Sequence, residues 1–228
     1  MTIARTICLG FLGIISVSTL LLTAPFSIAT GTWGDPLVAL FTATSATCVT
    51  GLAVVDTGTY FSGLGQAFLL LTVQVGGLGY MTATTFLVLL LGRRFRLQYR
   101  VAVQESLDAV GLSSVSQLVK SVIALTVLIE LTGTFVLMLQ FVPEYGWSQG
   151  LWQALFHSVS AFNNAGFSLF PDNLVSYAVS PCVVLAISLL IVLGGIGYQT
   201  IMEVFLWARE ALRPGGQPFR FSMHFKTV

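Results

Sequence analysis

No lysine or arginine occurs between Arg5 and Arg93, and none between Lys120 and Arg209. Stretches of that length without a basic residue suit a lipid bilayer, whose interior is costly for charge. The composition agrees: of 228 residues, 55% are apolar and 8% charged, where a soluble domain carries about a quarter charged residues. Mean hydropathy is +0.89. These values exclude a water-soluble globule, a disordered chain and a nucleic-acid binder. They point to an all-α membrane protein whose first partner is the lipid bilayer.

The ten basic residues form three clusters: Arg5; then Arg93, Arg94, Arg96, Arg100 and Lys120; then Arg209, Arg213, Arg220 and Lys226. Cytoplasmic loops collect Lys and Arg, so all three clusters, and with them both termini, are expected inside. The loops on the opposite side carry the acids Asp35, Asp56, Glu144 and Asp172, which would favour cations at an external mouth. Each half must then cross an even number of times. Four apolar segments, 7–24, 64–91, 118–142 and 183–207, approach or exceed the length of about 20 residues that a span needs. Two others, 36–47 and 151–162, are too short. A full crossing by either would also carry an arginine cluster outside, so both are expected to dip into the membrane and return.

The resulting division is a first unit over 1–92, a cytoplasmic linker over 93–117, a second unit over 118–208 and a cytoplasmic tail over 209–228. Arg5, the apolar run after it and Ser27-Ile28-Ala29 also fit a cleavable signal peptide. The internal repeat favours a retained span, because it makes this segment the counterpart of 118–142.

That repeat is explicit. FTATSATCVTGL at 41–52 aligns without gaps on FHSVSAFNNAGF at 156–167, an offset of 115 (41 to 156). VGGLGYMT at 75–82 aligns on LGGIGYQT at 193–200, an offset of 118 (75 to 193). Both halves begin inside, so the repeat is parallel, about an axis along the membrane normal. Non-helical backbone at membrane depth is tolerated only in contact with protein or a water-filled cavity. A strand whose carbonyls face an axis can replace the hydration shell of a cation. The candidate filter strands are Thr47, Cys48, Val49, Thr50 and Gly51 in the first half, and Phe162, Asn163, Asn164, Ala165 and Gly166 in the second. Each follows a short helix whose C-terminal dipole end favours positive charge.

These blocks, with FTATSATCVTGLAVVDTGTY at 41–60, QVGGLGYMT at 74–82, SVSAFNNAGFSLFPDNL at 158–174 and GGIGYQT at 194–200, resemble the Trk/Ktr/HKT superfamily of potassium transporters, in particular its KtrB (NtpJ-type) membrane subunits. The resemblance covers essentially the whole chain. It implies a fold of parallel M1–pore helix–M2 repeats: here four transmembrane helices plus two re-entrant pore helices with filter strands, Gly51 and Gly166 at the filter glycines. It also implies inward movement of K⁺ across the inner (plasma) membrane, with Na⁺ as an alternative or coupled (symported) ion, no organic cofactor, and a KtrA-like cytoplasmic ring of nucleotide-binding regulatory subunits. The family has four such units around one path and this sequence has two. The expectation is an N-terminal half completed by a missing C-terminal half; a homodimer with a second copy, or a non-conducting fragment with a dimerisation or regulatory role, stays open.

Other residues carry two readings each. Gly76, Gly77, Gly79, Gly194, Gly195 and Gly197 suit close helix packing or a kink. Glu130 is an intramembrane acid, which suggests ion coupling or a hydrogen-bonded structural partner; Glu203 suits the interface. Asn163 and Asn164 offer amide oxygens to an ion or brace the strand from behind. His157 reads as a packing residue, and Cys48 has no base beside it to make it a nucleophile. Cys8, Cys48 and Cys182 have no metal spacing, and no cluster supports an enzyme or a resident metal beyond the transported K⁺. The linker, basic and then amphipathic through Val103, Leu107, Val110 and Leu112, suits an interfacial helix.

Overall fold

The computed structural model describes residues 3–92 and 112–197 together with Thr200, Ile201, Val204 and Trp207. Arg93 to Arg100, the tail from Arg209, Glu203 and most of the expected interfacial helix lie outside the described residues. The elements are α1 (Ile3–Thr23), α2 (Pro36–Thr47), α3 (Thr57–Tyr60), α4 (Gly63–Gly92), α5 (Leu112–Tyr145), α6 (Trp147–Phe162) and α7 (Pro181–Ile196). Short 3₁₀ turns occupy Pro25–Ser27 and Val175–Tyr177. Among the described residues the only β-pairing is one antiparallel bridge, Ile28 to Phe61.

Local chemistry sets the helix ends. Asp35 caps α2, its side chain accepting from the Leu37 amide at 2.8 Å, and Pro36 at the first position needs no donor partner. Asp56 caps α3 in the same way through Gly58. Pro143 is tolerated near the end of α5, where the chain closes with the Gly146 amide on the Val142 carbonyl. Outside the helices, Ala29 N–H bonds the Tyr60 carbonyl at 3.0 Å and Ser62 N–H bonds the Ser27 carbonyl at 2.9 Å. This pairing clamps the segment leaving α1 to the segment entering α4.

The tertiary arrangement is two helical units. In the first, α2 touches both α1 and α4; in the second, α6 touches both α5 and α7; α4 also touches α5 and α6 and so joins the units. The short helices are the buried centre. Ala39, Ala43 and Ala46 of α2 pack in one cluster with Leu22, Leu69 and Val73 of the first unit and with Phe156 and Val159 of α6. The long helices turn apolar side chains outward: Leu20, Phe135, Leu139 and Leu185 are each at least two-thirds exposed. An apolar outer surface of this kind is what lipid requires.

Three of the four expected long segments coincide closely with α1, α4 and α5. The segment 118–142 is longer at both ends, and residues 120–145 are long and apolar enough to cross a membrane alone. The fourth differs. Helix α7 stops at Ile196, and Gly197 adopts φ +84°, ψ 153°, after which Thr200, Ile201, Val204 and Trp207 are again helical. Only glycine reaches that conformation without cost, and three glycines within four positions weaken the helix there. A hydropathy profile registers neither property. Of the two readings of the glycines, Gly197 is a kink, whereas Gly76 and Gly194 are close contacts.

A Cβ on Gly76 would collide with the Thr47 carbonyl, and one on Gly194 with the Phe162 carbonyl. Each helix thus lies directly against the last carbonyl of its unit's short helix. At Gly195 the nearest atom to an added Cβ is Asn164 Nδ2 at 3.9 Å, an ordinary contact. Gly194→Ala should therefore destabilise the detergent-solubilised transporter by about 1–3 kcal/mol, while Gly195→Ala should stay within about 0.5 kcal/mol of the parent. Thermal melts of the two variants side by side check this; equal melting would refute the contact.

Candidate functional site

Helices α2 and α6 end at equivalent positions, Thr47 and Phe162, and the chain leaves both by the same path. Cys48 N–H bonds the Thr44 carbonyl at 2.9 Å, Val49 that of Ala46 at 3.3 Å, and Thr50 that of Ser45 at 2.9 Å. In the second loop Asn163 bonds Val159 at 3.1 Å, Asn164 bonds Ala161 at 3.0 Å and Ala165 bonds Ser160 at 2.8 Å. Each pair is related by the offset of 115 found in the sequence (48 to 163). The first three amides of each loop are thus consumed by the last turn of the preceding helix. Among the described residues, no backbone amide donates to the carbonyls of 48–51 or 163–166.

The dihedral angles repeat as well. Val49 and Asn164 lie at φ 56° and 58°, and Gly51 and Gly166 at 73° and 72°. Positive φ on alternate residues is not a β-strand, so the expected filter strands take the form of irregular loops. Asparagine and glycine enter this region at modest cost, but valine is a genuine outlier there. Strain of about 1–3 kcal/mol at such a residue persists only where its surroundings impose it. Here the bonds of Val49 and Thr50 to α2 do so, with Thr50 Oγ1 also 3.0 Å from Ser45 Oγ.

The two loops meet at their glycines. A Cβ on Gly51 would lie 2.6 Å from the Ala165 carbonyl oxygen and 3.1 Å from Gly166 Cα. Thr47, Phe162, Asn163 and Ala165 are buried; Val49 and Gly51 are half-buried; Cys48, Thr50, Asn164 and Gly166 are exposed. Eight of the ten candidate filter residues therefore lie in two adjoining loops, whereas Thr47 and Phe162, expected in the strands, are the last helical residues of α2 and α6, whose C-terminal ends lead into the loops.

Behind the second loop stands a polar cluster. Asn163 Nδ2 lies 3.1 Å from Glu130 Oε1 of α5, 3.0 Å from Gln74 Oε1 of α4 and 2.9 Å from the Val159 carbonyl. Glu130 is 5% exposed. Its own backbone carbonyl accepts from Ser158 Oγ and Thr134 Oγ1, both at 2.7 Å. The Asn163 amide thus braces the loop from behind, whereas Asn164 is exposed, its Nδ2 within 3.5 Å of the Phe162 carbonyl. Ser160 Oγ holds the outgoing chain through the Phe167 carbonyl at 2.7 Å.

Gln74 and the serines were not singled out by the sequence reading. Their signals in the sequence are an amide midway along a largely apolar helix, and the coincidence of Ser45 with Ser160 in the repeat. His157 is a packing residue: Nδ1 lies 2.7 Å from the Gln153 carbonyl, Nε2 lies 2.9 Å from Ser168 Oγ, and the ring stacks on Phe170 at 4.7 Å.

Cys8, Cys48 and Cys182 are free thiols. Among the described residues no group of three His, Cys, Asp or Glu side chains could hold a metal ion. The acids of the connecting segments have local duties. Asp35 and Asp56 cap helices, and Glu144 accepts from Tyr177 Oη at 2.5 Å. Burial, and then this bond to Glu144, pushes the Tyr177 hydroxyl pKa up; bonds from Ser176 hold the Asp172 carboxyl below the usual range.

Comparison with known proteins agrees with this architecture. Residues 10–227 match the TrkH family, described as a cation transport protein. The chain is 46% identical over 201 residues to the Ktr system potassium uptake protein B of Bacillus subtilis, covering 88% of this chain and 44% of that protein. It is 42% identical over 202 residues to the Ktr system potassium uptake protein B of Vibrio alginolyticus, again covering 88% of this chain and 44% of the relative. The potassium/sodium uptake protein NtpJ of Enterococcus hirae is 33% identical over 205 residues, 90% of this chain and 46% of that protein. The chain spans about half the length of these relatives, all of them named as transport proteins and none as an enzyme. With a family match over nearly its whole length and an all-helical membrane architecture, the chain belongs to the TrkH family of cation transport proteins.

Proposed function

We propose that the two loops form half of a selectivity filter that carries K⁺ inward across the plasma membrane. The observation that carries this reading is the matched backbone of the loops: amides tied back to the preceding helix, positive φ at Val49 and Gly51 and again at Asn164 and Gly166, and contact at the two glycines. Alternating handedness turns successive carbonyls toward one side, unlike the alternation of a β-strand. Carbonyls free of amide partners on that side replace the hydration shell of a dehydrated cation. The converging C-terminal ends of α2 and α6 add partial negative charge. Membrane potential drives the ion, with Na⁺ as a coupled ion.

In this reading 1–92 and 118–208 are the two pore units, joined by a cytoplasmic linker and followed by a cytoplasmic tail. The exposed faces of Cys48, Thr50, Asn164 and Gly166 look toward the axis, where two further loops complete the ring. Those loops come from a C-terminal half or from a second copy, and a nucleotide-binding ring attaches on the cytoplasmic side. The relatives named as potassium uptake proteins support K⁺ as the cargo.

Serine at Gly51 or Gly166 would force a side chain into a positive-φ position beside the opposite loop. In the complete transporter each change should lower the K⁺-over-Na⁺ uptake ratio about tenfold, the equivalent of about 1.4 kcal/mol. Flux measured at matched protein levels tests this, and unchanged ratios in both variants would defeat the filter assignment. Val49→Asn, which copies the residue at the equivalent position of the second loop, should raise thermal stability by about 1 kcal/mol through relief of left-handed strain. A lowered melting temperature would contradict it. If a C-terminal half supplies the further loops, the 228-residue chain produced alone should not restore potassium-dependent growth to an uptake-deficient host, because its two loops enclose an ion on two sides only. Growth restored by this chain alone would mean that two copies complete the ring.

A further inference from the structure

We propose that Glu130, together with Gln74, is a positioning residue of the second filter loop, holding Asn163 between the two units and so setting where that loop stands against the first. The inference rests on the filter reading above. Asn163 caps the C-terminus of α6, so it is the residue at which the chain leaves the helix for the loop. Its amide nitrogen is surrounded by three acceptors from three places: Glu130 on α5, Gln74 on α4 and its own helix at Val159, at 3.1, 3.0 and 2.9 Å. An amide has two hydrogens to offer, so one is shared among the three acceptors.

The same place is built for close approach. A Cβ on Gly77, one turn after Gln74 on α4, would collide with Asn163 Oδ1. Glu130 is gripped at both ends, its backbone carbonyl by Ser158 of α6 and its carboxyl by Asn163. Asn163 thereby ties the first unit's α4 to the second unit's α5 at the level where the two loops begin. The equivalent residue of the first loop is Cys48, which is exposed. The clasp belongs to the junction between the units rather than to each unit.

A bland reading is that a buried carboxyl and a buried amide satisfy one another and nothing more. The two readings differ in what a substitution does to ion discrimination. In the intact transporter, at matched membrane protein levels, Glu130→Ala should lower the K⁺-over-Na⁺ uptake ratio by about tenfold, whereas Glu130→Gln, which keeps an acceptor oxygen, should stay within about twofold of the parent. An unchanged ratio in Glu130→Ala would overturn the positioning role. So would equal damage by Glu130→Gln, which would assign the effect to the charge.

Should Glu130→Ala fail to accumulate, Gln74→Ala, at a half-buried position, removes the other side-chain acceptor and is read in the same way. A several-fold fall in the ratio supports the clasp and an unchanged ratio overturns it. Gly166→Ser in the same series separates the two levels of the argument. If its ratio and that of Gly51→Ser are both unchanged, the filter reading itself fails; if they fall while those of Glu130→Ala and Gln74→Ala do not, only the positioning role fails.

Discussion

A chain that leaves helical form inside a membrane must find partners within the protein for the backbone groups it frees. This chain does so twice by the same device. The first three amides after α2 and after α6 fold back onto the carbonyls of the last helical turn. That arrangement settles the donors and leaves the acceptors of the loops without backbone partners. It also dictates the handedness, because a chain folding back so tightly passes through left-handed conformations at Val49 and Asn164. The proposed filter, which would hold a dehydrated cation, needs acceptors and no donors along the path. In this sense the loops follow from the hydrogen-bond bookkeeping of a helix end.

The surrounding helices answer to those two ends. Gly76 of α4 lies against the Thr47 carbonyl and Gly194 of α7 against that of Phe162. No larger residue allows a helix to approach a neighbouring carbonyl so closely, and close backbone contact is how membrane helices gain dispersion energy in the absence of a hydrophobic drive. The apolar side chains of the long helices face outward, while alanine, serine and threonine line the short helices in the middle. The interior is apolar as in a soluble protein, with Phe141, Phe156 and Phe162 fully buried, and what differs is that the outer surface is apolar too.

Much of this was legible in the sequence. The basic clusters and segment lengths separate long helices from short ones. The repeat gives the registration of the loops residue by residue, and the change of offset from 115 to 118 (41 to 156, then 76 to 194) is respected by the pairing of Gly76 with Thr47 and Gly194 with Phe162. What escaped has physical reasons. Hydropathy carries no backbone angles, so the interruption of α7 at Gly197 and the left-handed Val49 have no signature in it. Periodicity describes one helix at a time, so it cannot bring Gln74, Glu130 and Asn163 together across 89 and 33 residues.

The two loops share a backbone but not its supports, and the difference locates the constraint. The first is held from its own helix, with Thr50 on Ser45. The second is held from its own helix through Ser160 and Phe167, and also by two neighbouring helices through Asn163. Where the side chains differ, the dihedral angles stay close: φ is 56° at Val49 against 58° at Asn164, and −86° at Cys48 against −75° at Asn163. Closely similar geometry reached with different side chains means that the backbone path is the feature the two loops have in common. A side-chain binding site could not tolerate such exchange, whereas a site made of main-chain carbonyls can, since every residue supplies the same atom.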